Sequence, residues 1–574
     1  GINIAASTAA DGVGNQAAAA GPSATFTVTA LASISSIVRV GGSSSNAATV
    51  SWTITLTSSV TNFTTANLGI TVGGLSGASV AGLTGSGTTW TATANTGTGN
   101  GTIRMDVTND TNVSPGIANV SFTTGDTITI DKTAPSVTSI VRASAVNPTN
   151  ASSVNFTVTF SESVVGVTSG AFSLDTTGVS SPSISSLSGS GASYTVSVST
   201  GTGDGTVSID LSTIGGIADP AGNGLSGTFT TGEAYTVDKT APTVTSIVRA
   251  GGNPTNAGSV DFTVTFSETV TGVGIGAFAL DASGVSGAAI STISGSGATR
   301  TVSVNTGTGS GSVSIDLTTV TSILDSANNV LGGTFTAGEA YTIDKLAPTV
   351  SSINRAGGNP TNAGSVDFTV TFSEPVSGVA IGAFALDTTG VSSPSISSVS
   401  GSATTYTVSV GTGTGDGSVS IDLTTVSGIA DAAGNTLGGT FTTGQAYTID
   451  KTAPAVTGVT RSGANPTNAG SVDFTVTFNE SVTGVAAGAF AIDATGVTGA
   501  TVASVPGSGT TWTVSAGTGT GDGTLSIDLT TVGGITDAAG NTLGGTFTTG
   551  EAYTIDKTGP GISIGTPSAS STIT

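Results

Sequence analysis

Cysteine and histidine are both absent from the 574 residues. Their absence excludes disulfides, thiolate nucleophiles, imidazole metal ligands, and Ser-His-Asp or Cys-His triads. Charge is scarce as well, at 8% of residues, against about 25% in an ordinary soluble domain. Basic residues are the scarcest, 12 against 34 acidic, for a net charge of −22. A surface of that sign repels phosphate backbones, so nucleic acid is not an expected partner, and it suits hard cations. No run approaches the roughly 20 apolar residues of a membrane-spanning helix, so no membrane span is expected in this fragment. The chain begins at Gly1 with neither an initiator Met nor a signal peptide; the expectation is that the natural start lies elsewhere or was removed. What is abundant is glycine, 86 residues, about twice its usual share of roughly 7%. Val, Ile and Phe recur throughout, and hydrophobic content is 36%, so the chain is not simply disordered. Its length implies several domains.

The few basic residues are regularly placed. The only five lysines, Lys132, Lys239, Lys345, Lys451 and Lys557, each follow an aspartate and precede Thr-Ala-Pro or a close variant. Those aspartates, Asp131, Asp238, Asp344, Asp450 and Asp556, are spaced by 107, 106, 106 and 106 residues. Arg142, Arg249, Arg355 and Arg461 follow eleven residues after each Asp, and Arg39 holds the same place upstream. A period near 106 residues exceeds that of short solenoid repeats and fits whole domains in tandem. Repeats are expected at 30–131 (divergent), 132–238, 239–344, 345–450 and 451–556. Residues 1–29 read as the C-terminal part of a preceding repeat, since Asp11-Gly-Val-Gly-Asn15 matches Asp219-Pro-Ala-Gly-Asn223. Residues 557–574 read as the start of a following one, and the whole as an internal piece of a longer chain.

Within a repeat the hydrophobic period is two. Val260, Phe262, Val264 and Phe266 alternate with polar residues, as do Val313, Ile315 and Leu317, the pattern of half-buried strands. Gly, Ser, Thr, Asn and Asp clusters separate them, and no useful helical period is found. Seven short strands in about 106 residues match the immunoglobulin-like sandwich. The expected fold is therefore all-β, a tandem array of immunoglobulin-like seven-stranded β-sandwiches, each held by burial alone.

Val-Thr-Phe-Ser-Glu-Pro-Val (370–376), Ile-Ala-Asp-Ala-Ala-Gly-Asn-Thr-Leu (429–437) and Asp-Lys-Thr-Ala-Pro (450–454) resemble bacterial Ig-like repeats. They are similar to those of surface-layer proteins and of large repetitive adhesins, and the resemblance covers almost the whole chain. It implies an extracellular, cell-surface location and a mechanical or architectural role. Its motifs are specific for fold and weak for function, because one module serves as spacer, lattice brick and stalk. Some such families bind calcium at domain junctions.

Strand direction brings the acids into the same question. In a seven-strand sandwich entered at one pole and left at the other, Glu268 ends strand two at the entry pole. Asp325 lies in the loop between strands six and seven at that pole, and Asp238 is in the linker arriving there. The corresponding sets are Asp131/Glu162/Asp219, Asp344/Glu374/Asp431 and Asp450/Glu480/Asp537. Calcium takes 6–8 oxygens from carboxylates, carbonyls and water, so each set is a candidate calcium site. The first repeat has Thr29 and Ser58 at two of these positions and no Asp-x-x-Gly-Asn loop around 110–119. The alternative stays open: Asp-x-x-Gly-Asn is also an ordinary turn, Glu after a strand can pair with Lys or Arg, and Asp-Lys-Thr-Ala-Pro can be a Pro-stiffened linker.

Other positions read as structure. Asp175, Asp281, Asp387 and Asp493 end strand three at the exit pole. Asp204, Asp416 and Asp522 sit in Gly-Thr-Gly-Asp-Gly turns, which lack the Gly-Lys-Ser/Thr of a phosphate cradle. Asn253-Pro254-Thr255-Asn256 reads as a turn facing the next junction. Trp52 reads as core, while Trp90 and Trp512 are candidates for surface aromatics on which a sugar could stack. The sequons at Asn62, Asn119 and Asn155 matter only if the source glycosylates asparagine. No catalytic or cofactor-binding residue is expected, because the acids repeat along the chain whereas an active site is normally single. The leading functional expectation is a structural protein, the body of a surface layer, sheath or filament. Its partners would be further copies of itself. The alternatives are the stalk of a giant adhesin, reaching a host or matrix ligand through regions outside this fragment, and a carbohydrate-binding accessory region of a secreted enzyme. Five sandwiches in line would reach about 200 Å.

Overall fold

The computed structural model describes residues 29–565; the reading of residues 1–29 as part of a preceding repeat lies outside them except for Thr29, and the reading of 557–574 as the start of a following one lies outside them at residues 566–574. The period 239–344 shows the plan. Its strands are β1 (Val244–Arg249), β2 (Ser259–Phe266), β3 (Phe278–Ser283), β4 (Ala289–Ser294), β5 (Thr299–Asn305), β6 (Gly311–Leu317) and β7 (Tyr341–Ile343). They form one sheet in the order β1-β2-β5-β4 and a second in the order β3-β6-β7, with every ladder antiparallel. The only helical element is a single 3-10 turn, Ile275–Ala277, leading into β3.

The alternation of the sequence is what packs the two sheets. Val260, Phe262, Val264 and Phe266 of β2 face Val302 and Val304 of β5 on one side of the core. Val313, Ile315 and Leu317 of β6, with Tyr341 and Ile343 of β7, close it from the other. The outward positions between them carry Thr263 opposite Thr301 and Thr265 opposite Thr299. Phe262 meets Tyr341 edge to face across the sandwich, with centroids 5.2 Å apart, a favoured aromatic geometry. The same contact recurs as Phe156–Tyr235, Phe368–Tyr447 and Phe474–Tyr553. Five hydrophobic cores result, and the buried members of each come from a single period.

The tyrosines explain the regular arginines. Tyr341 Oη accepts from the Gly251 amide at 2.7 Å and donates to the Asp261 carbonyl at 3.0 Å. Arg249, at the end of β1, lies over the Tyr341 ring at 6.0 Å and donates to the Ala340 carbonyl at 2.6 Å. Arg142, Arg355 and Arg461 repeat the stacking on Tyr235, Tyr447 and Tyr553.

The strand count varies between periods. In 132–238 the fourth and fifth strands are one continuous run, Ser183–Ser199, which folds back so that Ser185 Oγ donates to the Ser197 carbonyl at 3.1 Å. That period therefore shows six strand runs. The first period has a similar run, Ser79–Asn95, and an added two-residue strand, Ser44–Ser45, parallel to Thr127–Ile130. Elsewhere the equivalent segment makes only an isolated parallel bridge, such as Thr255 with Ile343. It follows a cis Asn-Pro bond in the four later periods.

Candidate metal centres at the joints between periods

Each joint begins where β7 of one period ends. Asp238 directly follows Tyr235–Val237, and its amide donates to the Thr149 carbonyl at 3.0 Å. Glu268 follows β2 of the next period by two residues. Asp325 sits in the loop after β6 and is 3% exposed. That loop braces itself around the carboxylate. Asp325 Oδ1 accepts from the Ala327 and Asn329 amides, both at 2.8 Å. Asn329 Nδ2 donates to Asp325 Oδ2 at 2.8 Å and to the Asp238 carbonyl at 2.9 Å. The asparagine thus ties the incoming linker to the loop.

The structure brings the three acids of each expected set together. One carboxylate oxygen from each of Asp131/Glu162/Asp219, Asp238/Glu268/Asp325, Asp344/Glu374/Asp431 and Asp450/Glu480/Asp537 lies within 4.8 Å of the others. No arginine or lysine forms an ion pair with any of these twelve among the described residues. The lysines point elsewhere: Lys239 Nζ donates to the Gly201 carbonyl at 2.6 Å and Lys345 Nζ to Gly307 at 2.7 Å. Pairing of the glutamates with Lys or Arg is therefore not how these acids are accommodated. Burial pushes the Glu268 carboxyl above its ordinary range, and the charges of Asp238, Asp325 and Asp204 push it further. Glu162, Glu374 and Glu480 are raised by burial and by their own neighbouring aspartates. A divalent cation would reverse this by favouring the ionised form. Three carboxylates with no nitrogen or sulfur donor suit a hard cation of the calcium type.

The first period is built differently. Asp110 Oδ2 accepts from the Ile117 amide at 3.1 Å, and Asn119 Oδ1 accepts from the Ile34 amide at 2.6 Å. With Thr29 and Ser58 in the other two places, no acidic cluster forms there among the described residues.

Two sets of contacts at the joint were not evident from sequence. The Gly-Thr-Gly-Asp-Gly segments are turns, with Gly201 and Gly203 at φ of 67° and 81°, and they also clamp the outgoing linker. Asp204 Oδ1 accepts from the Lys239 amide at 2.6 Å, and Asp204 Oδ2 accepts from Thr240 Oγ1. These bonds, the threonine first, hold Asp204, Asp416 and Asp522 below the usual carboxylate range. The second set is a seat between consecutive periods. The Asn150 amide donates to the Ala327 carbonyl of the next period at 3.2 Å. Asn46, Asn256 and Asn362 do the same to Ala221, Ala433 and Ala539. In these three the asparagine side chain lies over Gly222, Gly434 and Gly540, at positive φ, where an added Cβ would come within 3.7 Å of it. The Asn-Pro-Thr-Asn turn thus faces the next junction, as its position in the sequence suggested.

The remaining candidates are structural. Trp52 is fully buried, with Nε1 donating to the Asp126 carbonyl at 2.8 Å. Trp90 and Trp512 are not open surface aromatics. Both are half-buried against their cores, with Nε1 donating to the Gly87 and Gly509 carbonyls. Tyr194 and Tyr406 hold the same position and donate to the Val164 and Val376 carbonyls. In the third period Arg300 replaces them. It is 8% exposed and donates to the carbonyls of Val270, Gly297 and Thr299.

No family model matches the chain, and no curated protein matches it. Among solved structures it is similar to the Escherichia coli adhesin FdeC, at 16% identity and a TM-score of 0.29, over 54% of this chain and 96% of that one. It is also similar to the D1–D4 ectodomain fragment of ICAM-5, at 12% identity and a TM-score of 0.20, over 73% of this chain and 99% of that one. A third is an Escherichia coli alpha-2-macroglobulin, at 8% identity and a TM-score of 0.12, over 92% of this chain and 52% of that one. The described residues are all-β, a tandem array of immunoglobulin-like sandwiches.

Proposed function

We propose that the chain is the repetitive body of a cell-surface assembly, a surface layer, sheath or filament, in which calcium held at the joints fixes one sandwich against the next. The observation that carries this reading is the joint itself. The same three carboxylates meet at four successive joints, each without a basic partner among the described residues. Each joint also joins linker, loop and preceding turn by the same hydrogen bonds. Chemistry copied at every joint serves the array rather than one substrate, so the reading is non-enzymatic. In this reading the linker Asp, the strand-end Glu and the loop Asp are the ligands, and Asn329 with its counterparts holds the loop in place behind them.

The test is the intact chain in calcium and in chelator. Calcium at a hundredfold excess over its Kd should stabilise a bound period by about 2.7 kcal/mol, and small-angle scattering should show a longer particle. Identical melting and identical length in chelator would remove the calcium reading. Electron microscopy of the source surface addresses the assembly. A repeating lattice or fibre is the expected outcome, whereas isolated flexible stalks would favour the spacer of a large adhesin.

A further inference from the structure

The five linker clamps differ, and one of them has lost both halves of a bond. In the second and fourth periods, an Asp carboxylate of the exit turn takes two donors from the linker. Asp204 accepts from the Lys239 amide and Thr240 Oγ1, and Asp416 from the Lys451 amide and Thr452 Oγ1. Asp522 does the same with Lys557 and Thr558. In the first period Asn100 keeps both links, accepting from the Lys132 amide and donating to Thr133 Oγ1, each at 2.7 Å. In the third, Ser310 replaces the acid and Leu346 replaces the threonine. Ser310 Oγ accepts from the Lys345 amide at 2.9 Å and spends its proton on Asp344 Oδ1 at 3.2 Å. Leu346 cannot reach back and is 69% exposed. A neutral hydroxyl is also a weaker acceptor than a carboxylate, whose charge-assisted bonds are shorter and about twice as strong.

The rest of that joint is intact. The Asn256 amide still donates to the Ala433 carbonyl at 3.1 Å. Asn435 Nδ2 still donates to the Asp344 carbonyl at 2.9 Å, and Lys345 Nζ to Gly307 at 2.7 Å. Its two sandwiches therefore stay seated while the linker between them is held less firmly. We infer that the joint between the third and fourth periods is the compliant point of the array, a built-in hinge at which the linker releases before the others. The inference does not depend on a cation, because the clamp is made by the exit turn and the linker alone.

Hydrogen exchange of the intact chain, in chelator, reads this directly. After correction for intrinsic rates, the Lys345 amide should exchange roughly tenfold faster than the Lys239 and Lys451 amides, the difference of one charge-assisted bond. The double variant Ser310→Asp with Leu346→Thr should bring it level with them. The reverse pair, Asp416→Ser with Thr452→Leu, should create a second fast site at the next joint, at the Lys451 amide. Equal protection at the three joints, or exchange at Lys345 unmoved by the double variant, would overturn the inference.

Discussion

Single side chains in this protein are explained by where their hydrogen bonds go. The loop aspartates are buried polar groups that would be costly without partners, and the loop supplies them. The Asp-x-x-Gly-Asn segment is thus an internally braced turn, and the question is whether it is also one wall of a cation site. Two substitutions separate these roles. Asp325→Ala removes the acceptor for two amides and Asn329 Nδ2. It should cost its period about 2 kcal/mol in chelator, measured by chemical denaturation, and more in calcium, where a ligand is lost as well. Glu268→Gln leaves those bonds in place and relieves repulsion from Asp238 and Asp325. It should leave stability in chelator unchanged or higher and abolish the calcium response of that joint. A different residue-scale test concerns Arg300. Arg300→Met would remove the arginine donor from the Val270 and Thr299 carbonyls, while the Gly297 carbonyl keeps the Val270 amide, for a loss of about 1–3 kcal/mol. Arg300→Tyr should be close to neutral, because Tyr194 and Tyr406 already satisfy the equivalent carbonyl.

At the scale of strands, the sheet β3-β6-β7 carries a conflict on its outer face that the first period has resolved. Asp422 and Asp387 face outward on neighbouring strands, and burial, then the charge of Asp387, raises the Asp422 carboxyl. Asp210 and Asp528 are raised in the same way beside Asp175 and Asp493. A carboxyl with a raised native pKa contributes stability below its unfolded value and loses it as pH climbs through the raised one. Replacing Asp387 by Asn should therefore stabilise its period at pH 7 by a few tenths of a kcal/mol, and the gain should vanish near pH 3. In the first period Thr71 stands at the Asp387 position and Arg104 at that of Ser420. Asp106 there meets Arg104 Nε at 2.7 Å and accepts from Thr71 Oγ1 at 2.5 Å.

The strands were legible in sequence because alternation of Val, Ile and Phe with Thr and Ser has one reading. The three-acid clusters were legible because odd and even strands run opposite ways, which fixes the pole of each loop. The clamp was not, and of the seat only the facing of the Asn-Pro-Thr-Asn turn toward the next junction was. Asn150 meets Ala327, and Asp204 meets Thr240, only once the orientation of two sandwiches is set, and no periodicity within one period encodes that. The fused run Ser183–Ser199 was missed for a different reason. Its Gly and Ser residues do turn, with Gly189 and Gly191 at positive φ where the run folds back, but Gly191 also pairs with Val164 of the neighbouring strand, so the turn leaves no break in the strand run.

At the scale of the molecule, scarcity of charge becomes economy of placement. Ten of the twelve basic residues are the five lysines and the five regularly spaced arginines. The lysines bind carbonyls of the preceding exit turn, and four of the arginines stack on the tyrosines that bridge the sheets. Among the described residues none forms an ion pair with the joint acids, and three carboxylates together can hold a metal ion. The central claim proposed above is that each three-carboxylate joint holds one divalent ion. Calcium stoichiometry by equilibrium dialysis tests it most directly. The account predicts about four ions per chain, one for each cluster, falling by one with each of Glu162→Gln, Glu268→Gln, Glu374→Gln and Glu480→Gln. Stoichiometry near zero, or a value that these four substitutions leave unchanged, would contradict it.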